Sequence, residues 1–259
     1  MNRIDQLFSS GRNRLLSIYF CAGAPTLDGT AGVIRTLARE GVDMIEIGIP
    51  FSDPMADGPV IQDAATKALK NGMTLETLFS QLRDIRRDVD IPLILMGYLN
   101  PVFRFGFEAF CARCAEVGVD GLIIPDLPFK DYMESYKAVA ERYGLRFIML
   151  ITPETSEERV RRIDEQTSGF IYMVSSAATT GAQRDFNAQK QAYFKRIAGM
   201  GLRNPRMVGF GISNKPTFDA ACESASGGII GSRFVSLLEE KQGDAQAAIR
   251  QLKADIGLA

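Results

Sequence analysis

Histidine is missing from all 259 residues, and so is tryptophan. Without histidine, Ser-His-Asp and Cys-His arrangements and imidazole metal sites are excluded, which leaves carboxylates, lysine, tyrosine and cysteine as candidate acids, bases and nucleophiles. Cysteine is sparse as well. Of the four, Cys111 and Cys114 form a C-x-x-C pair, but they lie in the helical pattern EAFCARCAEVG with no second ligand pair, so neither zinc nor any other metal is expected. A net charge of −1 excludes a broad electrostatic footprint for nucleic acid or anionic membrane. No apolar run is long enough to span a bilayer, and MNRIDQLFSSGRNRLL lacks the apolar centre of a signal peptide. A reducing cytoplasm is the expected location.

What is present is ordinary globular composition, with 46% hydrophobic and 24% charged residues. Short apolar runs alternate with amphipathic stretches throughout. LLSIYFCA, MIEIGI, IPLILMGY, GLIIPD, RFIMLITP, FIYMVSS, RMVGFGIS and GGIIGS each run into Gly, Pro, Asp or Ser, as buried parallel strands do. Between them lie helical patterns such as TAGVIRTLAREG and SEERVRRIDEQ, several ending in a glycine suited to a C-cap. Eight strand-then-helix units with no linker predict an α/β fold, a (β/α)8 TIM barrel forming a single domain over residues 1–259. MNRIDQLFSS supplies an extra N-terminal helix, and VIQDAATKALKNG an extra helix after strand 2. A doubly wound open sheet competes, but CAGAPTLDG after the first strand is not a dinucleotide fingerprint.

Glu46 is the unusual residue in this scheme. Strand side chains alternate, so Ile45, Ile47 and Ile49 should face the helices while Met44, Glu46 and Gly48 face the lumen. A lumenal carboxyl loses hydration, which raises its pKa toward the value suited to a group that both gives and takes a proton. The duller reading is a buried glutamate held by ion pairs or hydrogen bonds. Asp57, before Gly58, and Asp53, before Pro54, can each be explained as turn residues. TTGAQ, GFGIS and IIGSRF, at the ends of strands 6, 7 and 8, allow close backbone approach, and together they predict a bound phosphate.

These motifs carry a family resemblance. IEIGIPFSDPMADGPVIQ, followed in order by LMGYLNPVF, IIPDLP, TTGA, GFGIS and GSRFV, resembles the α subunits of tryptophan synthase over essentially the whole chain. The resemblance implies a carbon–carbon lyase of tryptophan biosynthesis that cleaves indole-3-glycerol phosphate to indole and glyceraldehyde 3-phosphate. In the roles it implies, Glu46 and Asp57 are catalytic. Thr180, Gly181, Phe210, Gly211, Gly231 and Ser232 contact substrate, mostly at its phosphate, and Tyr19 and Tyr172 flank the indole. Thr180 also matches a loop threonine that closes the site. The resemblance implies an α2β2 heterotetramer, with Asp53, Pro54, Asn100 and Pro128 at the face toward the β subunit. Pyridoxal phosphate is expected only in that partner, and no cofactor in this chain. One departure stands out: Ser176 and Ala178 occupy positions where many family members carry Arg and Gly, which puts loop dynamics in question but removes no acid or base.

Two other readings remain. A non-catalytic module that activates a β subunit would have no need of both Glu46 and Asp57. A sugar-phosphate isomerase or aldolase working through a Schiff base needs a lumenal lysine, and none of the eight strand runs contains one.

Overall fold

The computed structural model describes residues 1–175, 188–209 and 211–258. Its strands are β1 (Leu15–Cys21), β2 (Met44–Gly48), β3 (Leu93–Met96), β4 (Gly121–Ile123), β5 (Arg146–Phe147), β6 (Met149–Ile151), β7 (Ile171–Val174), β8 (Arg206–Gly209) and β9 (Gly227–Ile230). They form one parallel sheet in the order β5-β4-β3-β2-β1-β9-β8-β7-β6. Because β5 and β6 are separated by Ile148 alone, the two edges of this sheet meet and the barrel is nearly closed.

The expected fifth strand, RFIMLITP, is thus two short segments. Side chains from the turn before β7 cause the break. Ser168 Oγ accepts from Phe147 N at 3.0 Å, Thr167 Oγ1 accepts from Met149 N at 3.1 Å, and Thr167 Oγ1 donates to Phe147 O at 2.8 Å. These hydroxyls take backbone groups that a ladder would otherwise use.

Two apolar clusters follow from the strand alternation. Ile45, Ile47 and Ile49 pack outward with the helices, whereas Leu15, Met44, Ile94, Ile148 and Met207 fill the lumen. Helix α1 (Arg3–Ser9) covers the lower end of the barrel, and its Ile4 joins the lumenal cluster with no exposure. Gly121 leaves room for it, since a Cβ there would lie 2.8 Å from Ile4 Cδ1. Asn2 locks α1 in place by donating to Asp120 O (2.8 Å) and Gly144 O (3.0 Å).

The remaining helices begin with α2 (Thr30–Arg39), then α3 (Pro59–Lys70) and α4 (Leu75–Leu82), both between β2 and β3. Next come α5 (Leu99–Phe105) and α6 (Phe107–Val117). Helix α6 stops at Gly118, whose φ of 79° suits a residue without a side chain. Its Cys111 and Cys114 face the apolar core as free thiols. A short α7 (Phe129–Asp131) passes through a π-turn at Tyr132–Tyr136 into α8 (Lys137–Arg142). The last five are α9 (Glu157–Gln166), α10 (Ala188–Ala198), α11 (Lys215–Ser224), α12 (Ser232–Glu240) and α13 (Ala245–Asp255). None of the helices among the described residues is long and apolar enough to cross a membrane.

Candidate active site

Among the described residues four carboxylates are buried, and three of them have structural work at the lower ends of strands. Asp43 pairs with Arg12 and accepts from Leu16 N at 2.8 Å. Asp120 pairs with Arg3 and Arg86 and accepts from Leu93 N at 2.9 Å. Asp164 accepts from the backbone N–H groups of Arg203 and Asn204. Each is compensated by cations or N–H donors, as buried carboxylates must be.

Glu46 is different. It is fully buried at the middle of β2, beside Tyr19 of β1 and Ile94 of β3. Oε1 accepts one hydrogen bond, from Ser17 Oγ at 3.1 Å, and Oε2 is a buried oxygen with no partner among the described residues. Loss of hydration pushes its pKa from 4.5 up to about 8, and the Ser17 bond only partly opposes this. The carboxyl is therefore mostly protonated at neutral pH. The strand alternation made Ser17 foreseeable, because Leu15, Ser17 and Tyr19 share the inward face of β1.

Above Glu46 opens a cavity of about 320 Å³ at the upper end of the barrel. Tyr19, Tyr172, Asp57, Gly211, Gly231 and Ser232 all line it. Glu46 itself is not part of the wall, but it lies close enough to Tyr19 and Tyr172 that its ionised form would raise the pKa of both phenols. The two tyrosines owe their positions to glycines on neighbouring strands. A Cβ at Gly48 would lie 2.2 Å from Tyr19 Oη, and one at Gly209 would lie 2.2 Å from Tyr172 Oη. Burial holds both phenols well above their ordinary pKa, so they act as neutral, flat walls.

Asp57 sits in the loop between β2 and α3 and is half-buried. Tyr98, just past β3, fixes it: the phenol donates to Asp57 Oδ2 at 2.8 Å and accepts from Ala56 N at 3.0 Å. Phe51 packs on the Tyr98 ring at 5.5 Å. Burial raises the Asp57 pKa, and the bond from Tyr98 pulls it back down. Sequence reasoning missed Tyr98, although the stretch LMGYLNPVF had pointed to its neighbourhood.

At the opposite wall, Gly211 adopts φ of 77°, and Gly231 precedes the first turn of α12. Helix α12, which follows β9, is nine residues long. Its first N–H groups have no intrahelical acceptor, which favours an anion. Ile212, Ser213 and Arg233 also line this side. Thr180, Gly181 and Phe210, together with Ser176 and Ala178, lie outside the described residues. Among the described residues no group of three or more His, Cys, Asp or Glu side chains could hold a metal ion.

Of the positions expected to face a partner, Asp53, Asn100 and Pro128 are exposed and Pro54 is half-buried. They lie in the loops or first turns that follow β2, β3 and β4. The same end of the molecule carries two exposed large apolar side chains, Met55 and Phe103.

A family model described as "Tryptophan synthase alpha chain" matches residues 5–258. The tryptophan synthase alpha chain of Bacteroides fragilis is 71% identical over 258 residues, covering 100% of this chain and 98% of that one. The crystal structure of the tryptophan synthase alpha subunit of Legionella pneumophila superposes with a TM-score of 0.88 at 34% identity, covering 100% of this chain and 98% of that one. A chain in the tryptophan synthase complex of Pyrococcus furiosus gives 0.84 at 33% identity, covering 95% and 97%.

Proposed function

The chain belongs to the tryptophan synthase alpha chain family, which cleaves indole-3-glycerol phosphate, and from that premise we propose that Glu46 is its proton shuttle and Asp57 its charge stabiliser. The observation that carries this reading is the Oε2 of a buried, largely neutral Glu46, without a partner among the described residues, beneath a cavity that Asp57 lines. Indole is a poor leaving group as a carbanion, so ring carbon 3 must first gain a proton. Neutral Glu46 donates it. The resulting carboxylate then takes the proton of the hydroxyl on the carbon next to the ring as the carbon–carbon bond breaks and the aldehyde forms. Glu46 ends the cycle protonated, which balances the proton. Positive charge builds on the indole nitrogen after the first transfer, and Asp57, held by Tyr98, accepts a hydrogen bond from that N–H.

Tyr19 and Tyr172 enclose the indole, and the phosphate lies against Gly211, Gly231 and Ser232 at the start of α12. Thr180, Gly181 and Phe210 complete the contacts by resemblance to the family. Asp57→Asn keeps the shape and the Tyr98 bond but removes the charge. Its kcat/KM for indole-3-glycerol phosphate should fall on the order of a hundredfold with unchanged thermal stability. Indole release at the unmodified rate would remove Asp57 from the mechanism.

The alpha reaction needs no cofactor of its own; pyridoxal phosphate belongs to the β subunit. Within our reading the chain is one domain over residues 1–259, with α1 and α3 as additions to the eight-unit barrel, working in the cytoplasm in an α2β2 assembly. Asp53, Pro54, Asn100 and Pro128 face the β subunit. Support comes from the exposed Met55 and Phe103 beside them, and from the relative in Pyrococcus furiosus, whose structure is of a tryptophan synthase complex. Adding a pyridoxal-phosphate-loaded β subunit and serine should make the pair co-elute, speed cleavage and yield tryptophan. An Asn100→Arg variant should bind about tenfold more weakly. Failure of the unmodified pair to co-elute would reject the interface.

A further inference from the structure

The acid in the lumen is bonded by a single neighbour. Ser17 of β1 is fully buried, and its backbone is registered on both sides, with Met44 of β2 and Ile229 of β9. Its side chain stands between those of Leu15 and Tyr19 on the inward face of the strand, in a lumen otherwise filled by Leu15, Met44, Ile94, Ile148 and Met207. A hydroxyl in such a layer costs stability unless it finds a partner. Among the described residues its one hydrogen bond is the one it donates to Glu46 Oε1, at 3.1 Å.

That bond makes the two oxygens of the carboxyl unequal. The oxygen that receives the serine proton is the carbonyl oxygen of the neutral acid, so the acid's own proton sits on Oε2. Among the described residues no group takes up Oε2, and its proton is committed to none of them. Once the proton has left, the bond from Ser17 runs to a charged acceptor and strengthens, so it stabilises the carboxylate that exists between the two transfers. Ser17 does not line the cavity, and what it contributes to the reaction passes through Glu46.

We propose that Ser17 is a positioning residue for the lyase reaction, which holds Glu46 through Oε1, keeps the transferable proton on Oε2 and steadies the carboxylate formed by the first transfer. This rests on the reading of Glu46 as the proton shuttle. The other groups around the carboxyl leave that role to Ser17. Tyr19 on β1 and Tyr172 on β7 carry phenols that burial holds neutral, Ile94 on β3 is apolar, and Asp57 in the loop above is bonded to Tyr98. Among the described residues no cation pairs with Glu46. Loss of hydration raises the pKa of Glu46, and Ser17 is the group that opposes it.

The test is Ser17→Ala in the full chain, with indole-3-glycerol phosphate as substrate. Near neutral pH kcat should fall by about three- to tenfold with KM unchanged. With the donor gone the ionised form is less favoured, so the high-pH limb of kcat/KM should move up by about one pH unit. Ser17→Thr, which keeps the hydroxyl, should return the limb to its place in the parent. In a Glu46→Gln background Ser17→Ala should cost nothing further, because no proton is left to place. A limb that stays where it was, or a loss of equal size in both backgrounds, overturns the proposal and leaves Ser17 as packing. Should Ser17→Ala fail to fold, infrared difference spectra of the unmodified chain across the limb decide the matter, with Glu46→Gln identifying the band. The neutral acid should show the lowered carbonyl frequency of an oxygen that accepts a hydrogen bond; the frequency of an unbonded carbonyl overturns the inference. Parent-like activity of Glu46→Gln rejects the shuttle itself, whereas a slow Glu46→Gln beside an unaltered Ser17→Ala removes only the role of Ser17.

Discussion

Replacing Glu46 by Gln should lower kcat for indole-3-glycerol phosphate cleavage by about a thousandfold, the middle of the range for losing a positioned general acid and base. The amide has nearly the same shape and can still bond Ser17, so the fold and the cavity are retained. It cannot, however, give up a proton to ring carbon 3 or take one from the hydroxyl. KM should stay within a few-fold, because Glu46 contributes to the transition state and not to the phosphate or indole contacts. In the unmodified chain kcat/KM should decline above about pH 8 as the acid ionises; the residual activity of Glu46→Gln should lack that limb. Steady-state kinetics between pH 6 and 9.5, choices made to bracket about 8, check both points. Equal activity of the two proteins, or a shared high-pH limb, would contradict the assignment.

The same group leaves a thermodynamic mark. In the unfolded chain Glu46 titrates at its ordinary 4.5, and in the folded chain at about 8. Between those values the folded protein holds a proton that the unfolded chain has released, so rising pH favours unfolding. The contribution is fully present below 4.5 and is lost as pH rises through about 8. At roughly 1.4 kcal/mol for each pH unit, the loss is on the order of 4–5 kcal/mol. Asp57, also raised by burial, adds in the same direction. The lowered carboxylates Glu40, Asp219 and Asp255 give up their stabilisation only on acidification, below the window where Glu46 acts. Urea unfolding at several pH values should show Glu46→Gln becoming progressively more stable than the parent as pH rises. A difference independent of pH would mean that Glu46 is ionised in the fold, with a partner or water offsetting its charge.

Both results bear on why an acid is kept in an apolar lumen at all. The three other buried carboxylates among the described residues anchor strand starts and loops, and losing them would damage the fold. Glu46 anchors little: one hydroxyl on one oxygen. Its retention costs stability near neutral pH, and such a local conflict between folding and burial is what a functional group leaves behind.

Much of this was legible in the chain itself. The period of two in MIEIGI placed Ile45, Ile47 and Ile49 outside and Glu46 inside, because adjacent strand residues must point to opposite faces. The apolar runs between amphipathic stretches dictated a parallel sheet wrapped by helices, since strands apolar on both faces need cover on both. The lack of histidine left carboxylates, lysine, tyrosine and cysteine as candidate acids, bases and nucleophiles, and the order of the glycine-rich strand ends is the sequence's ground for proposing a phosphate.

Tertiary structure decided the rest, because these features depend on residues far apart in the chain. The interruption at Ile148 arises from hydroxyls of Thr167 and Ser168 about twenty residues away, which no local pattern in RFIMLITP announces. Tyr98 reaches across 41 positions to hold Asp57, and Gly48 and Gly209 matter as space for two tyrosines on adjacent strands, not as turns. Hydration sets the acidity of Glu46, and hydration is a property of the closed barrel: the sequence places a carboxyl in the lumen, but only the packed walls around it strip the water that would otherwise keep it ionised.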